Sequence, residues 1–128
     1  MRKKVLIVVS DYYKNISEAL LKSTKKYLNK KTSLKIIKVP GVFEIPIIIS
    51  KNIKKFDGFV ASGCVIKGKT AHFDLISKSV IDAIMNLSIN SKKPVGNCIL
   101  TCFNHKQALA RKKKGRVAAI ALNSILYK

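Results

Sequence analysis

A chain of 128 residues that is 48% hydrophobic, with few Gly or Pro and no low-complexity stretch, is sized for one packed domain spanning residues 1–128. At this length folding buries roughly two-thirds of the surface of the unfolded chain, so no disulfide or metal staple is needed. The balance of 26 Lys and Arg against 6 Asp and Glu gives a formal charge of +20, a field that draws in phosphates, anionic metabolites and nucleic acid without discrimination.

Two readings of that charge compete. The lysines are scattered, and the chain is rich in Lys, Ile, Asn and Ser, which favours compositional drift on solvated faces over a nucleic-acid stripe. Arg111–Lys114 with Arg116 is the one real cluster, so no specific nucleic-acid partner is expected. The apolar stretches Val5–Val9, Ile45–Ile49 and Val117–Leu122 are too short for a membrane-spanning helix, and the first residues lead straight into a strand-like run with no signal segment. Cys64, Cys98 and Cys102 form an odd set beside apolar runs, which reads as buried, reduced thiols in the cytoplasm. The spacing of Cys98 and Cys102 is a weak metal signal with only His105 nearby, and no metal is expected.

In chain order, Val5–Val9 is a continuous apolar run of the kind found in a strand covered on both faces. Ser10-Asp-Tyr-Tyr13 follows as a loop, then a helix from about Ile16 to Leu28, with Ile16, Ala19, Leu20 and Leu28 on one side. Leu34–Val39 is a second strand, stopped by Pro40-Gly41. Phe43–Ile53 reads as one short helix with Pro46 in its first turn. Phe59–Ile66 is the third strand. Phe73, Ile76, Val80, Ile84 and Leu87 recur at helical spacing, which predicts a helix over 72–90. Pro94–Cys102 is a fourth strand, Asn104–Arg111 a helix capped by Asn104, and Gly115–Tyr127 a last helix. The alternation predicts an α/β fold, a three-layer sandwich of four parallel strands with helices on both faces and ligands at the carboxyl ends of the strands.

Three loops after strands carry candidate chemistry. In Gly63-Cys-Val-Ile-Lys-Gly-Lys-Thr-Ala-His72, Gly68 admits close backbone approach and the following helix start offers unsatisfied N–H donors and positive dipole, an anion site. Thr70 either caps that helix or donates to a phosphate oxygen, and Lys69 adds charge. His72 lies in the first turn beside the presumed anion, where an imidazole suits proton transfer; His105, near another helix start, has no such surroundings. In Val39-Pro-Gly-Val-Phe-Glu-Ile-Pro46, Glu44 is a rare acid in an apolar setting, either partnered by sugar-like hydroxyls or placed there by the helix dipole. Tyr12 and Tyr13 offer an aromatic face that stacks on a heterocycle or packs at the rim.

These residues resemble the lumazine synthases of riboflavin biosynthesis. The resemblance runs from Val5 to Leu126 and rests on Val39–Pro46 and Gly63–Asp74, supported by Pro94-Val95, Leu100-Thr101, Gln107–Arg111 and Lys114-Gly115. It implies a flavodoxin-like sheet, no cofactor, and condensation of 5-amino-6-ribitylaminouracil with 3,4-dihydroxy-2-butanone 4-phosphate. It further implies that Tyr12, Val42, Phe43, Glu44, Cys64, Val65, Ile66 and Asn97 hold the pyrimidine and its ribityl chain. Lys69, Thr70 and Arg111 then bind phosphate, and His72 transfers protons.

In the family the pocket lies between subunits of a pentamer, with the positions of Asn97 and Arg111 supplied by the neighbour. A homo-oligomer is therefore expected, a pentamer ahead of a sixty-subunit shell, because no N-terminal extension precedes the first strand. The chain departs from the family at Asn97, where an apolar residue is common, in a shortened segment between Arg111 and Lys114, and at Arg116–Ala118, where no acid follows Gly115. The rival readings are a basic nucleic-acid-binding module and a non-catalytic, shell-forming relative.

Overall fold

The strands grow from apolar runs that pair side by side, and the helices from the amphipathic segments between them. The computed structural model describes residues 2–128. In order, the elements are β1 (Lys4–Ser10), α1 (Lys14–Tyr27), β2 (Ser33–Val39), a 3-10 turn (Val42–Glu44), α2 (Ile45–Lys51), β3 (Gly58–Ile66), α3 (His72–Ser91), β4 (Val95–Cys102), α4 (His105–Ala110) and α5 (Gly115–Leu126). All strand pairings are parallel and the sheet order is β2-β1-β3-β4, so β2 and β4 are its edges.

Alternation along the strands sends side chains into two cores. On one face Val5, Ile7, Val9, Val60, Cys98 and Leu100 pack under Ile16 and Leu20 of α1, Ala108 of α4 and Leu122 of α5. On the other, Leu6, Val8, Phe59, Ala61 and Ile99 pack under Ile45 and Ile49 of α2 and Val80 and Ile84 of α3. The three-layer α/β architecture expected from the alternation of elements is thus the architecture of the molecule. Close approach of α5 to α1 requires Gly115, where a methyl group would lie 2.4 Å from the Leu20 carbonyl oxygen.

One element differs from expectation. Phe43–Ile53 is not a single helix. Gly41 N–H donates to Glu44 Oε1 at 3.0 Å and Glu44 N–H to the Gly41 carbonyl at 3.2 Å, which tightens Val42–Glu44 into a 3-10 turn before α2 starts with Pro46 in its first turn. A proline there gives up no helical hydrogen bond. Among the described residues the ion pair is Lys78–Asp82, one turn apart on α3 and largely exposed. Water screens such a pair, so it adds little to stability, and the positive charge of the chain stays unbalanced within it.

Candidate active site

A parallel sheet presents the carboxyl ends of its strands along one border, and β1, β2 and β3 deliver their following loops to the same place. Between them opens a cavity of about 690 Å³, within the usual range for small-molecule sites. β1 contributes Ser10, with Tyr12 and Tyr13 just beyond it. The segment after β2 contributes Pro40, Gly41, Val42, Phe43 and Glu44. β3 contributes Cys64, Val65 and Ile66, and α3 contributes His72 and Ile76.

Tyr12 and Phe43 are 73% and 61% exposed, so two aromatic faces stand open at the cavity, available to a flat ring. Tyr12 is braced edge-to-face by Tyr13, with ring centroids 4.9 Å apart. Burial, then the neighbouring Tyr12 and Cys64, raises the Tyr13 hydroxyl above its ordinary pKa. Glu44 has one carboxylate oxygen committed to Gly41 N–H, which aims the carboxylate while leaving acceptor capacity for a ligand.

Cys64 is pushed up to about 12 by burial and, secondarily, by Cys102. Its thiol is therefore protonated at neutral pH and serves as an apolar wall rather than as a nucleophile. All three cysteines are buried and unbridged. Among the described residues no group of three His, Cys, Asp or Glu stands close enough to hold a metal ion, and no helix is long and apolar enough to cross a membrane.

The anion loop takes the form expected of a helix start. α3 begins at His72, and Thr70 Oγ1 accepts from the His72 N–H at 3.3 Å. Thr70 thus uses its hydroxyl locally to satisfy one amide of the first turn. The Phe73 and Asp74 amides have no intrahelical acceptor by position, since the helical ladder starts with Leu75 N–H to the Ala71 carbonyl. His72 is exposed on the cavity border. Asp74 occupies the same first turn and competes with a bound anion for the helix dipole.

Tyr12, Val42, Phe43, Glu44, Cys64, Val65, Ile66 and His72, far apart in sequence, therefore line one cavity. Lys69, Thr70, Asn97 and Arg111 are not in its wall. Lys69 and Thr70 lie exposed on the adjoining loop. Asn97 is on edge strand β4 opposite Ala61, three residues below the level of Cys64, about 10 Å at 3.3 Å per residue, and its Oδ1 accepts from Ile99 N–H at 3.0 Å. Arg111 is exposed at the end of α4. Lys114 also turns away, its Nζ lying 3.4 Å from the Ile99 carbonyl. Sequence reasoning did not anticipate Ser10, Pro40, Gly41 and Ile76 in the wall. The signal for Ser10 was its place as the first polar residue after a buried run.

The match to a family model for 6,7-dimethyl-8-ribityllumazine synthase covers residues 2–127. The chain belongs to the 6,7-dimethyl-8-ribityllumazine synthase family. A relative of that name from Bartonella tribocorum is 43% identical, over 94% of this chain and 87% of its own length. Its counterpart in Agrobacterium fabrum is 39% identical, over 91% and 88%. The one in Corynebacterium kroppenstedtii is 34% identical, over 92% and 79%. Membership of the lumazine synthase family supports the enzyme reading over the nucleic-acid and scaffold alternatives, because relatives from three bacteria share that name along nearly the whole chain.

Proposed function

We propose that this chain catalyses the condensation of 5-amino-6-(D-ribitylamino)uracil with 3,4-dihydroxy-2-butanone 4-phosphate to 6,7-dimethyl-8-ribityllumazine, phosphate and water, the penultimate step of riboflavin biosynthesis. The observation that carries the proposal is the gathering of Tyr12, Phe43, Glu44 and His72 around one cavity in a chain of this family. Tyr12 and Phe43 take the faces of the pyrimidine, the Glu44 carboxylate accepts from the ribityl chain, and Val42 with Cys64–Ile66 forms the remaining wall.

The reaction joins an aromatic amine to a ketone as an imine, expels phosphate and closes a ring. Two needs follow: protons must move, and the leaving group must be held. His72 at the cavity border meets the first. The α3 amides, Lys69 and Thr70 meet the second, with Arg111, whose guanidinium forks onto phosphate. Holding two reactants in one cavity supplies much of the remaining acceleration.

In this proposal Asn97 and Arg111 come from a neighbouring copy in a homo-oligomer, a pentamer or a pentamer-based shell. It is supported by their distance from the cavity wall of their own chain. Five copies bring together a formal +100, five times the +20 of one chain, so bound phosphate and moderate salt stabilise the assembly. The buried free thiols favour the reducing cytoplasm as its compartment.

Mixing the two substrates and following lumazine fluorescence tests the reading. Wild type exceeds the spontaneous rate; His72→Ala loses roughly 100-fold or more in turnover, and Arg111→Ala raises the KM for the phosphate-bearing substrate. Co-assembling the two variants restores activity, because some sites then draw His72 from one chain and Arg111 from the other. A wild type no faster than the spontaneous reaction overturns the function, and absence of complementation overturns the shared site.

A further inference from the structure

In the cavity wall one hydroxyl is unaccounted for. Three buried hydroxyls, those of Ser10, Ser62 and Ser77, have no hydrogen-bond partner among the described residues. Ser62 stands opposite Cys98 in the β3–β4 register and Ser77 lies along α3; neither belongs to the wall. Ser10 does. It is 2% exposed and closes β1 next to Gly63, where a methyl would lie 2.9 Å from Ser10 Cβ and 3.6 Å from its Oγ. The same methyl would meet Val42 Cγ1 at 2.7 Å, so Ser10 and Val42 crowd the same side of Gly63 at one point of the wall.

A buried hydroxyl without a partner costs stability, and an alanine would occupy the same space without that cost. The position is therefore unfavourable in the empty protein and favourable once something in the cavity bonds to it. A serine hydroxyl both donates and accepts, and one torsion with three staggered wells directs it. The wall it belongs to is mostly aromatic and apolar, with the Glu44 carboxylate and the His72 imidazole as its titratable polar groups besides tyrosine and cysteine, and Val42 is the wall residue placed beside Ser10 at Gly63. The cations Lys69 and Arg111 lie outside that wall. Ring carbonyls, ring N–H groups and polyol hydroxyls suit such surroundings; a phosphate does not.

We infer that Ser10 is a substrate-binding residue, its hydroxyl bonding the polar edge of the ribityl-bearing uracil by turning about its single side-chain torsion. The inference rests on the proposed function and goes beyond it in naming a contact that fixes how deeply this substrate sits.

The test is Ser10→Ala, read in two ways that move in opposite directions. Thermal unfolding of the free protein gives a Tm equal to or above that of wild type, because the orphan hydroxyl is gone. The KM for the uracil rises about 3- to 10-fold, the size of one ordinary hydrogen bond, against an unmoved KM for the butanone phosphate. Direct binding of the lumazine product, followed by its fluorescence, weakens by a similar factor. Ser10→Gly, which also lacks the hydroxyl and relaxes the contact with Gly63, repeats the loss of affinity. A lowered Tm with an unchanged uracil KM overturns the inference and makes the hydroxyl structural, as does an equal rise in both KM values. A wild type that neither makes nor binds the lumazine overturns the functional reading and this inference with it. A wild type that does both, beside an Ser10→Ala unchanged toward the uracil, overturns this inference alone.

Discussion

Replacing Gly63 with alanine perturbs the site through packing alone. The new methyl would stand 2.7 Å from Val42 Cγ1 and 2.9 Å from Ser10 Cβ, where carbon atoms normally rest about 3.5–4.0 Å apart. Neither neighbour is a flexible tip: Val42 sits in the 3-10 turn and Ser10 in a central strand. The turn must therefore retreat by about 1 Å. Overpacking of this kind costs about 1–3 kcal/mol, and relief from glycine's conformational entropy returns roughly 0.5–1 kcal/mol. The net loss is about 1 kcal/mol from the middle of each range and at most about 2.5 kcal/mol. With a urea slope near 2 kcal/mol per molar, the unfolding midpoint falls by about 0.6 M and by no more than about 1.3 M, read by circular dichroism because the chain has no tryptophan. Gly68→Ala is the control: nothing lies within 4 Å of its added methyl and no glycine has positive φ, so only the entropic relief remains and its midpoint rises by about 0.2–0.5 M. Val42→Ala in the Gly63→Ala background removes one side of the clash, and the cycle shows a coupling of about 0.5–3 kcal/mol. A Gly63→Ala midpoint at or above that of wild type would refute the reasoning.

Further outcomes follow from the same coordinates. Because burial raises the Cys64 thiol from 9.0 to about 12, the folded state favours the protonated form. That contribution is complete below about pH 9 and is lost as pH rises toward 12, so wild type loses urea resistance over this window faster than Cys64→Ala. Native Cys64 also resists a thiol reagent at pH 8 and reacts in urea; native-state labelling at the free-thiol rate contradicts both statements. Asn104→Ala removes the acceptor for Gln107 N–H at 2.9 Å and costs about 1 kcal/mol, visible as a lower urea midpoint; an unchanged midpoint denies the cap. Lowering salt in phosphate-free buffer reduces the sedimentation coefficient, and phosphate restores it; a constant value rejects the role given to charge in assembly.

The four strands were legible to within about one residue, because each is an apolar run bounded by turn or polar residues, as Leu34–Val39 is by Pro40-Gly41, and this marks extent without needing the pairing. The 3-10 turn was not legible. Periodicity shows that Ile45 and Ile49 belong to a helix, but not that Glu44 folds back on Gly41 and delays it. For the site, motif position groups Tyr12, Phe43, Glu44 and His72, and these four line one cavity. The resemblance gives Asn97 and Arg111 to a neighbour, which agrees with their standing off the wall of their own chain; that Lys69 and Thr70 also lie outside it depends on where the loop before α3 falls in space, which motif position does not tell. Ser10 is not legible as a site residue in the sequence, because a hydroxyl is an orphan only with respect to every group that surrounds it in space.

The two borders of the sheet have unequal defences. β2 carries Lys35 and Lys38, charges that discourage another strand from docking there. β4, Val-Gly-Asn-Cys-Ile-Leu-Thr-Cys, carries none, in a chain where Lys and Arg number 26. The chain thus has one flank that carries its own guard and one that does not, and its resistance to edge-to-edge pairing hangs on the second. A lysine at exposed position 97 gives β4 the missing guard. The same lysine displaces the Asn97 that the proposed function gives to a neighbour's pocket, so under that proposal substrate binding and resistance to aggregation contend for a single side chain.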